Sequence, residues 1–385
     1  MSIVSNVINK KLTLNSRTKI FYGKSKIKEF IKTISQHELI IVVCTKGFLS
    51  RDRSLLNNIL KNKKFFLFND IQQNPDINSL IKSLSSLSSY KFSLIISIGG
   101  GSVIDTGKFI KIYISKSLKK SLNGDYFLNK KISDKIIHAC IPTTMGTGSE
   151  LTRFATLWDN LGKRKLSFED NNLQPNYAYL DLDFVINLPV FFIVSTGLDA
   201  ISQCLESLWS KKNSSVTSSI AIESIIMGLK MLPFAITKNP NAMKKMQIVS
   251  TISGYLINIT RTAAAHSISY PLTSYYSIPH GIAVAFTIRD IFIINYNSDK
   301  TRFIPLLKKL NLKDGSDFIK LIDDLFLKIN YHEIVKKFLP DSEEIIKLIP
   351  LMYTKGRSDN NMIELNDNDL KNIINNSYKR IFDNV

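Results

Sequence analysis

The chain has 385 residues, 44% hydrophobic and 22% charged, which suits a globular protein with two domains and a sizeable core. No apolar run approaches the roughly 20 residues that span a bilayer, and MSIVSNVINKKLTLN at the start lacks the continuous apolar stretch of a secretory signal. The three scattered cysteines exclude a disulfide framework, so a cytoplasmic protein is expected. The net charge of +19 permits a nucleic-acid footprint, attraction of small anions, or a lysine-rich composition without a partner. The basic residues form short clusters (Lys119-Lys120, Lys130-Lys131, Lys163–Lys165, Lys244-Lys245) with no stripe interleaved with aromatics, which disfavours nucleic acid.

Leu39–Cys44, Phe65–Phe68 and Phe92–Ile98 are apolar runs of strand length, followed by the turn signals Lys46-Gly47, Asn74-Pro75 and Gly99-Gly100. Polar helical stretches between them imply parallel βαβ units. Ile136–Ile141 reads as another strand, leading into PTTMGTGSE at 142–150. Leu151–Asp159 alternates imperfectly and, through Asp159–Gly162, predicts a hairpin returning along Lys165–Phe168. From about Val185 the period is helical, through Ile201, Leu205 and Leu208, then Ile220–Leu232 and Met246–Ile257.

GGGSVIDTGK at 99–108 directly follows a buried-type strand and opens a helix. In that context glycines let the backbone approach a phosphate that the helix N–H groups face. The spacing is not GxGxxG, so the expected fold is an α/β dinucleotide-binding domain (1–185), mostly parallel and non-standard Rossmann-like, then an all-α domain (186–385). The boundary falls near Asp183–Pro189, with the site in the cleft between them. Asp105 and Lys108 lie on the first turns of the helix, either at the pocket or on a solvated face. His266 ends a run of alanines, and His280, fourteen residues on, stands between Pro279 and Gly281. Neutral imidazole is a common metal ligand. Asp199 and Gln203, four residues apart, share a helix face. Asp199 has a second reading, as a stabiliser of the helix start after Ser195-Thr196-Gly197. His37, His138 and His332 have no such context and are expected at the surface or in packing.

The order of these segments resembles the iron-type (group III) alcohol dehydrogenase family. That family shows GGGSxxDxxK, PTTxGTGSE, a DAxxHxxE helix, a His, and a PHG about fourteen residues later. Here these are Gly99–Lys108, Pro142–Glu150, Asp199–Glu206, His266 and Pro279–Gly281. FYGKSKIKEF (21–30) looks like the family's first strand and helix, and GRSDNNMIELNDNDLKNII (356–374) like its closing helix. The resemblance implies a dehydroquinate-synthase-like architecture. It places the pyrophosphate on the backbone of Gly99, Gly100, Gly101 and Ser102, beside Asp105 and Lys108, with Thr143, Thr144 and Thr147 lining the pocket. It also implies a divalent iron or zinc held by Asp199, His266 and His280. Gln203 stands where the family has His, and its neutral carbonyl is a weaker ligand. Tyr270 stands where many members have a His near the nicotinamide; it either bonds the substrate and relays a proton, or packs. The family often has an acid after the first dinucleotide-domain strand, on the ribose 2′-hydroxyl. Val43-Cys44-Thr45-Lys46 has none there, so Thr45 beside Lys46 favours NADP over NAD.

The implied chemistry is reversible reduction of an aldehyde to a primary alcohol, with hydride from the nicotinamide and the ion polarising the carbonyl. LTRFATLWD (151–159), STGLDAISQCLESLWS (195–210) and TRTAAAHSISYPLT (260–273) look most like the phosphonoacetaldehyde reductase subgroup, which forms 2-hydroxyethylphosphonate. Arg153 and Arg261 lie in those segments; they are either phosphonate anchors or plain surface charge. A generic iron-type alcohol or polyol dehydrogenase is the alternative. A dehydroquinate-synthase-like lyase is weakened because PTTxGTGSE and PHG belong to the dehydrogenase branch, and a nucleic-acid-binding protein with a degenerate site is the reading from another class. The expected partners are a small anionic aldehyde and a second copy of the chain in a homodimer, with no nucleic acid and no membrane.

Overall fold

The computed structural model describes residues 16–382 except 62, 72–74, 88–89, 122–123, 161 and 163. The N-terminal segment, Asn74 and Lys163 of the sequence reading lie outside the described residues. The first part of the chain runs β1 (Lys19–Tyr22), α1 (Ile27–Ile34), β2 (Ile40–Cys44), α2 (Lys46–Ile59), β3 (Phe65–Phe68), α3 (Ile77–Leu84), β4 (Leu94–Gly99) and α4 (Gly101–Ile114). It continues through β5 (Leu118–Lys120), β6 (Tyr126–Leu128), β7 (Ile137–Pro142), β8 (Phe154–Asp159), β9 (Arg164–Glu169) and β10 (Tyr177–Leu180). Then come α5 (Val190–Trp209), α6 (Ser215–Ala235), α7 (Pro240–Thr260), α8 (Ala264–Tyr276) and α9 (His280–Ser298). The chain ends with α10 (Ile304–Leu310), α11 (Gly315–Lys328), α12 (Tyr331–Lys336), α13 (Ser342–Ile346) and α14 (Asp367–Phe382). Two compact units result, one from residues 16–144 and 148–187, the other from 145–147 and 188–382.

The α/β unit is built on a parallel sheet ordered β1-β10-β7-β4-β2-β3. β2 (IIVVC) and β4 (LIISIG) are buried at every position, as central strands covered on both faces must be. Strand alternation sends Ile41, Val43 and Ile95 into one core cluster and Ile40, Val42, Cys44 and Ile96 into the other. Leaving aside the edge strand β1, this is the doubly wound order in which the first and third strands sit side by side and the chain changes direction between them. Ligands of such sheets bind at the carboxyl ends of those two strands. Cys44 and Ile98 are paired in register, so Thr45 and the Gly99 loop emerge together at that point.

The predicted hairpin forms between β8 and β9, with Leu157 opposite Leu166. The predicted closing helix starts later than the sequence suggested. Residues 353–366 are loop with one short turn at Ser358–Asn360, and the helix begins at Asp367. The helical unit also corrects the expectation that no segment could span a bilayer, because α6 is long and apolar enough by length and composition. Its buried Ala221, Ile225, Gly228 and Leu232 show it to be a core helix, with Gly228 so close to Ile201 of α5 that a Cβ there would lie 2.7 Å from it. Glu223, on the same helix, is ion-paired with Lys309. All three cysteines are buried and free.

The start of α4 is bolted to the segment that follows β7. Lys108 is fully buried, and its ammonium donates to Ser149 Oγ (2.7 Å), Thr152 Oγ1 (2.9 Å) and the Phe154 carbonyl (2.7 Å). Asp105 Oδ1 lies 3.3 Å from that ammonium and accepts from Ser149 Oγ (2.6 Å), while Oδ2 accepts from the Thr156 amide (3.0 Å). Three close acceptors match the three protons of an ammonium. This corrects the reading of Lys108 and Asp105 as cofactor contacts, since their polar atoms are used to hold α4 in place. Removing one partner of a buried charged pair costs about 3–5 kcal/mol. Lys108→Met should therefore lower stability by about that much in chemical denaturation. Wild-type stability combined with weakened cofactor binding would restore the cofactor role.

Candidate active site

At the switch between β2 and β4 the backbone forms a cradle. The Thr143 amide donates to the Gly99 carbonyl (3.1 Å), extending the β4–β7 pairing beyond the strands. A Cβ on Gly100 would lie 2.9 Å from Thr144 Cγ2, so glycine is what lets the Thr143-Thr144 turn lie along the loop. Gly100 is the N-cap of α4, and the first-turn amides of Gly101 and Ser102 have no acceptor within the helix. Such a helix start binds phosphate. Thr45 caps α2 by accepting from the Phe48 amide (3.1 Å), and Lys46 is ion-paired with Asp70 (3.3 Å) on an exposed surface. Thr147 groups with the helical unit rather than with this loop.

In the helical unit, Asp199, His266 and His280 come together from α5, α8 and α9. Their ligand atoms all lie within 4.8 Å of one another. Gly281 makes this possible. A Cβ there would fall inside the Ser195 carbonyl oxygen on α5 and 3.1 Å from Asp199 Cβ, so only glycine lets the first turn of α9 sit against α5. Behind His266 stands Glu206, fully buried, seven residues after Asp199 and so on the same side of α5. Glu206 Oε2 lies 2.5 Å from His266 Nδ1, and Oε1 accepts from the His266 amide (3.1 Å). The other ring nitrogen, Nε2, is 3.3 Å from Asp199 Oδ1. Burial opposes charge on this imidazole, but the Glu206 and Asp199 carboxylates outweigh it and push its pKa up to about 10. Tyr270 stacks on His280 (centroids 6.0 Å, 23° apart).

The donor set suits a divalent ion. With His266 protonated, the Asp199–His266–Glu206 triad retains one net negative charge in a buried setting. A divalent cation replacing the Nε2 proton would make the triad neutral and leave Nδ1–H donated to Glu206, the arrangement in which a carboxylate orients a metal-binding histidine.

Gln203 is placed otherwise than a ligand would be. Its amide nitrogen donates to Asp199 Oδ1 (3.1 Å) and its carbonyl oxygen accepts from Ser253 Oγ (2.7 Å). This orientation follows from its partners, because an amide oxygen turned to an ionised carboxylate would be repelled. The next residue, Cys204, is buried, its thiol pKa is raised by that burial, and it bonds Ser224 of α6. Arg153 donates Nε to Glu169 (2.9 Å) and lies over Phe154 on the β8–β9 hairpin. Arg261 lies in the connection between α7 and α8. His138 sits in the sheet core bonded to Ser97 (2.9 Å), with burial holding it neutral. Sequence reasoning gave Glu206 no role although the DAxxHxxE pattern contains it, and nothing in the sequence marked Ser253.

A doubly wound nucleotide sheet joined to a helical unit with a two-histidine, one-carboxylate centre defines a metal-dependent dinucleotide oxidoreductase. The comparisons agree. Residues 17–182 match the iron-containing alcohol dehydrogenase family, and residues 193–378 match the C-terminal region of the Fe-containing alcohol dehydrogenase family. The chain belongs to the iron-containing alcohol dehydrogenase family, whose members use NAD(P) and a divalent metal. It is 27% identical to aldehyde-alcohol dehydrogenase 2 of Entamoeba histolytica over 86% of its own length but only 39% of that protein. It is equally similar, at 27%, to the 1-propanol dehydrogenase PduQ of Citrobacter freundii, covering 86% of this chain and 87% of the relative. Among solved structures, the iron-containing alcohol dehydrogenase of Thermococcus thioreducens superposes with a TM-score of 0.83 at 19% identity, over 94% of this chain and 99% of that one. The sulfoacetaldehyde reductase of Bifidobacterium kashiwanohense, in complex with NAD+, gives 0.81 at 24% identity, over 94% and 97%.

Two variants probe this centre. Glu206→Gln should weaken divalent-metal affinity about 10–100-fold, the usual cost of losing such an orienting carboxylate, as read by competition with a chelating dye. Gly281→Ala should lower stability by about 3 kcal/mol and strip the metal, since a carbonyl oxygen cannot move aside as a flexible side chain can. Retention of metal by Gly281→Ala would show that α5 and α9 can part without loss of the site.

Proposed function

We propose that the protein is a metal-dependent NADP-linked reductase that converts phosphonoacetaldehyde to 2-hydroxyethylphosphonate. The observation that carries the oxidoreductase reading is the convergence of Asp199, His266 and His280 donor atoms within 4.8 Å. These residues would hold iron or zinc, which when bound polarises the substrate carbonyl. With the ion bound, Glu206 would hold the Nδ1 proton of His266 and so leave Nε2 as the donor to the metal, and Tyr270 stacks on His280. The Gly99–Ser102 backbone and the Thr143-Thr144 turn hold the pyrophosphate of the hydride carrier.

The anionic substrate is supported by the subgroup-like segments around Arg261 and by the net charge of +19, which attracts anions. The Bifidobacterium protein of like fold is named for another two-carbon aldehyde with an anionic head. The second reading, an uncharged alcohol, is favoured by relatives named for 1-propanol in Citrobacter freundii and for NADPH-dependent butanol oxidation in Clostridium saccharobutylicum. NADP is supported by the missing carboxylate at Thr45; the exposed Lys46–Asp70 pair is too weak to hold Lys46 away from a 2′-phosphate.

The test is oxidation of NADPH and NADH by metal-loaded enzyme with phosphonoacetaldehyde, propanal and butanal. A kcat/KM at least about tenfold higher for phosphonoacetaldehyde, or about 1.4 kcal/mol, is expected. Equal or better turnover of the uncharged aldehydes selects the second reading. Thr45→Asp should move the NADPH/NADH preference at least about tenfold toward NADH. The new carboxylate repels a 2′-phosphate yet still caps α2, so the change reports on the ribose and not on the fold.

A further inference from the structure

The proposed substrate has a doubly charged head, and the carboxylate and imidazoles of the metal centre do not recognise one. Two arginines of the helical unit, Arg261 and Arg357, both meet Gly356. Arg261, in the α7–α8 connection, has φ 62°, a region that a side-chain-bearing residue adopts only where its surroundings hold it there. Gly356 has φ 77°, and a Cβ on it would lie 2.9 Å from Arg261 Nη1, so the missing side chain lets that guanidinium lie on the loop backbone. Arg357 donates Nη1 to the Gly356 carbonyl (3.0 Å). Both arginines are half-buried.

The loop carrying Gly356 and Arg357 is stitched to the chain on both sides of the ligand His266. Asn360 Nδ2 donates to the Thr260 and Thr262 carbonyls (2.9 Å each), on either side of Arg261. Ser267, next to His266, donates Oγ to the Met352 carbonyl (2.5 Å) and accepts from the Thr354 amide (2.9 Å). The seam that fixes the start of α8 therefore also ties the backbone that carries Arg261 to the loop that carries Arg357. Planar forked donors in such a pair match the oxygens of a tetrahedral dianion better than any lysine would.

We propose that Arg261 and Arg357 form the subsite for the phosphonate head, with Arg357 as the anchor that the sequence did not reveal. The proposal rests on the anionic-aldehyde reading above, and its test separates the two. Wild type, Arg357→Gln and Arg357→Lys are compared, as metal-loaded enzyme, for kcat/KM on phosphonoacetaldehyde and propanal and for methylphosphonate affinity by calorimetry. Arg357→Gln should raise KM for phosphonoacetaldehyde and cut the phosphonoacetaldehyde-to-propanal ratio at least about tenfold, with a like loss of methylphosphonate affinity. Arg357→Lys, which keeps the charge but not the fork, should fall between. A wild type that prefers phosphonoacetaldehyde, with ratio and affinity unchanged in both variants, overturns the subsite and leaves the function standing. A wild type indifferent to substrate charge that still binds methylphosphonate through Arg357 overturns the proposed substrate and supports the subsite. Loss of both overturns both.

Discussion

The helical unit depends on how closely α9 approaches α5. Where Gly281 meets the Ser195 carbonyl there is no room for even a methyl group, and that contact sets the position of His280 against Asp199. Everything else at the centre is arranged around two carboxylates, Asp199 and Glu206, projecting from one side of a helix that is almost wholly buried. Placing two carboxylates in such a setting is unfavourable unless positive charge is brought to them. His266 meets that need from α8 with both ring nitrogens, and so ties a third helix to the first. Close packing and charge balance therefore act on the same few residues.

The α/β unit follows a different logic, in which a buried ammonium does the organising. Lys108 reaches from α4 into a ring of hydroxyl and carbonyl oxygens on the segment after β7. A phosphate-binding helix start works only if its amides are aimed, and the aim is set by what holds the helix one and two turns later. The pattern GGGSxxDxxK thus contains two kinds of residue: glycines that yield space to a ligand, and a charged pair that fixes the frame around it.

Sequence made the central strands legible because β2 and β4 are covered on both faces and read as unbroken apolar runs. The β5–β6 hairpin gave no comparable signal, since two of the three residues of Leu118–Lys120 are exposed lysines. The convergence of Asp199, His266 and His280 was legible because histidine is scarce in this chain and the ordered segments resemble a known family. Orientation was not legible. Whether Lys108 faces a ligand or the core depends on residues forty and more positions away, and the direction of the Gln203 amide is set by Ser253, fifty residues further on. Spacing along a helix tells which side a residue is on, but not which partner waits there.

Cys204 follows Gln203 on α5, one position from a place where family resemblance calls for a donor. Its thiol is kept protonated by burial and faces Ser224, and it does not join the Asp199, His266 and His280 group. What remains is one carboxylate oxygen and two imidazole nitrogens, a borderline set that several first-row ions satisfy about equally in kind if not in strength. A donor set without a thiolate has no built-in preference for zinc or cuprous copper, and selection among divalent ions at such sites follows geometry and metal availability. Metal supply would then help to set the chemistry of such a centre.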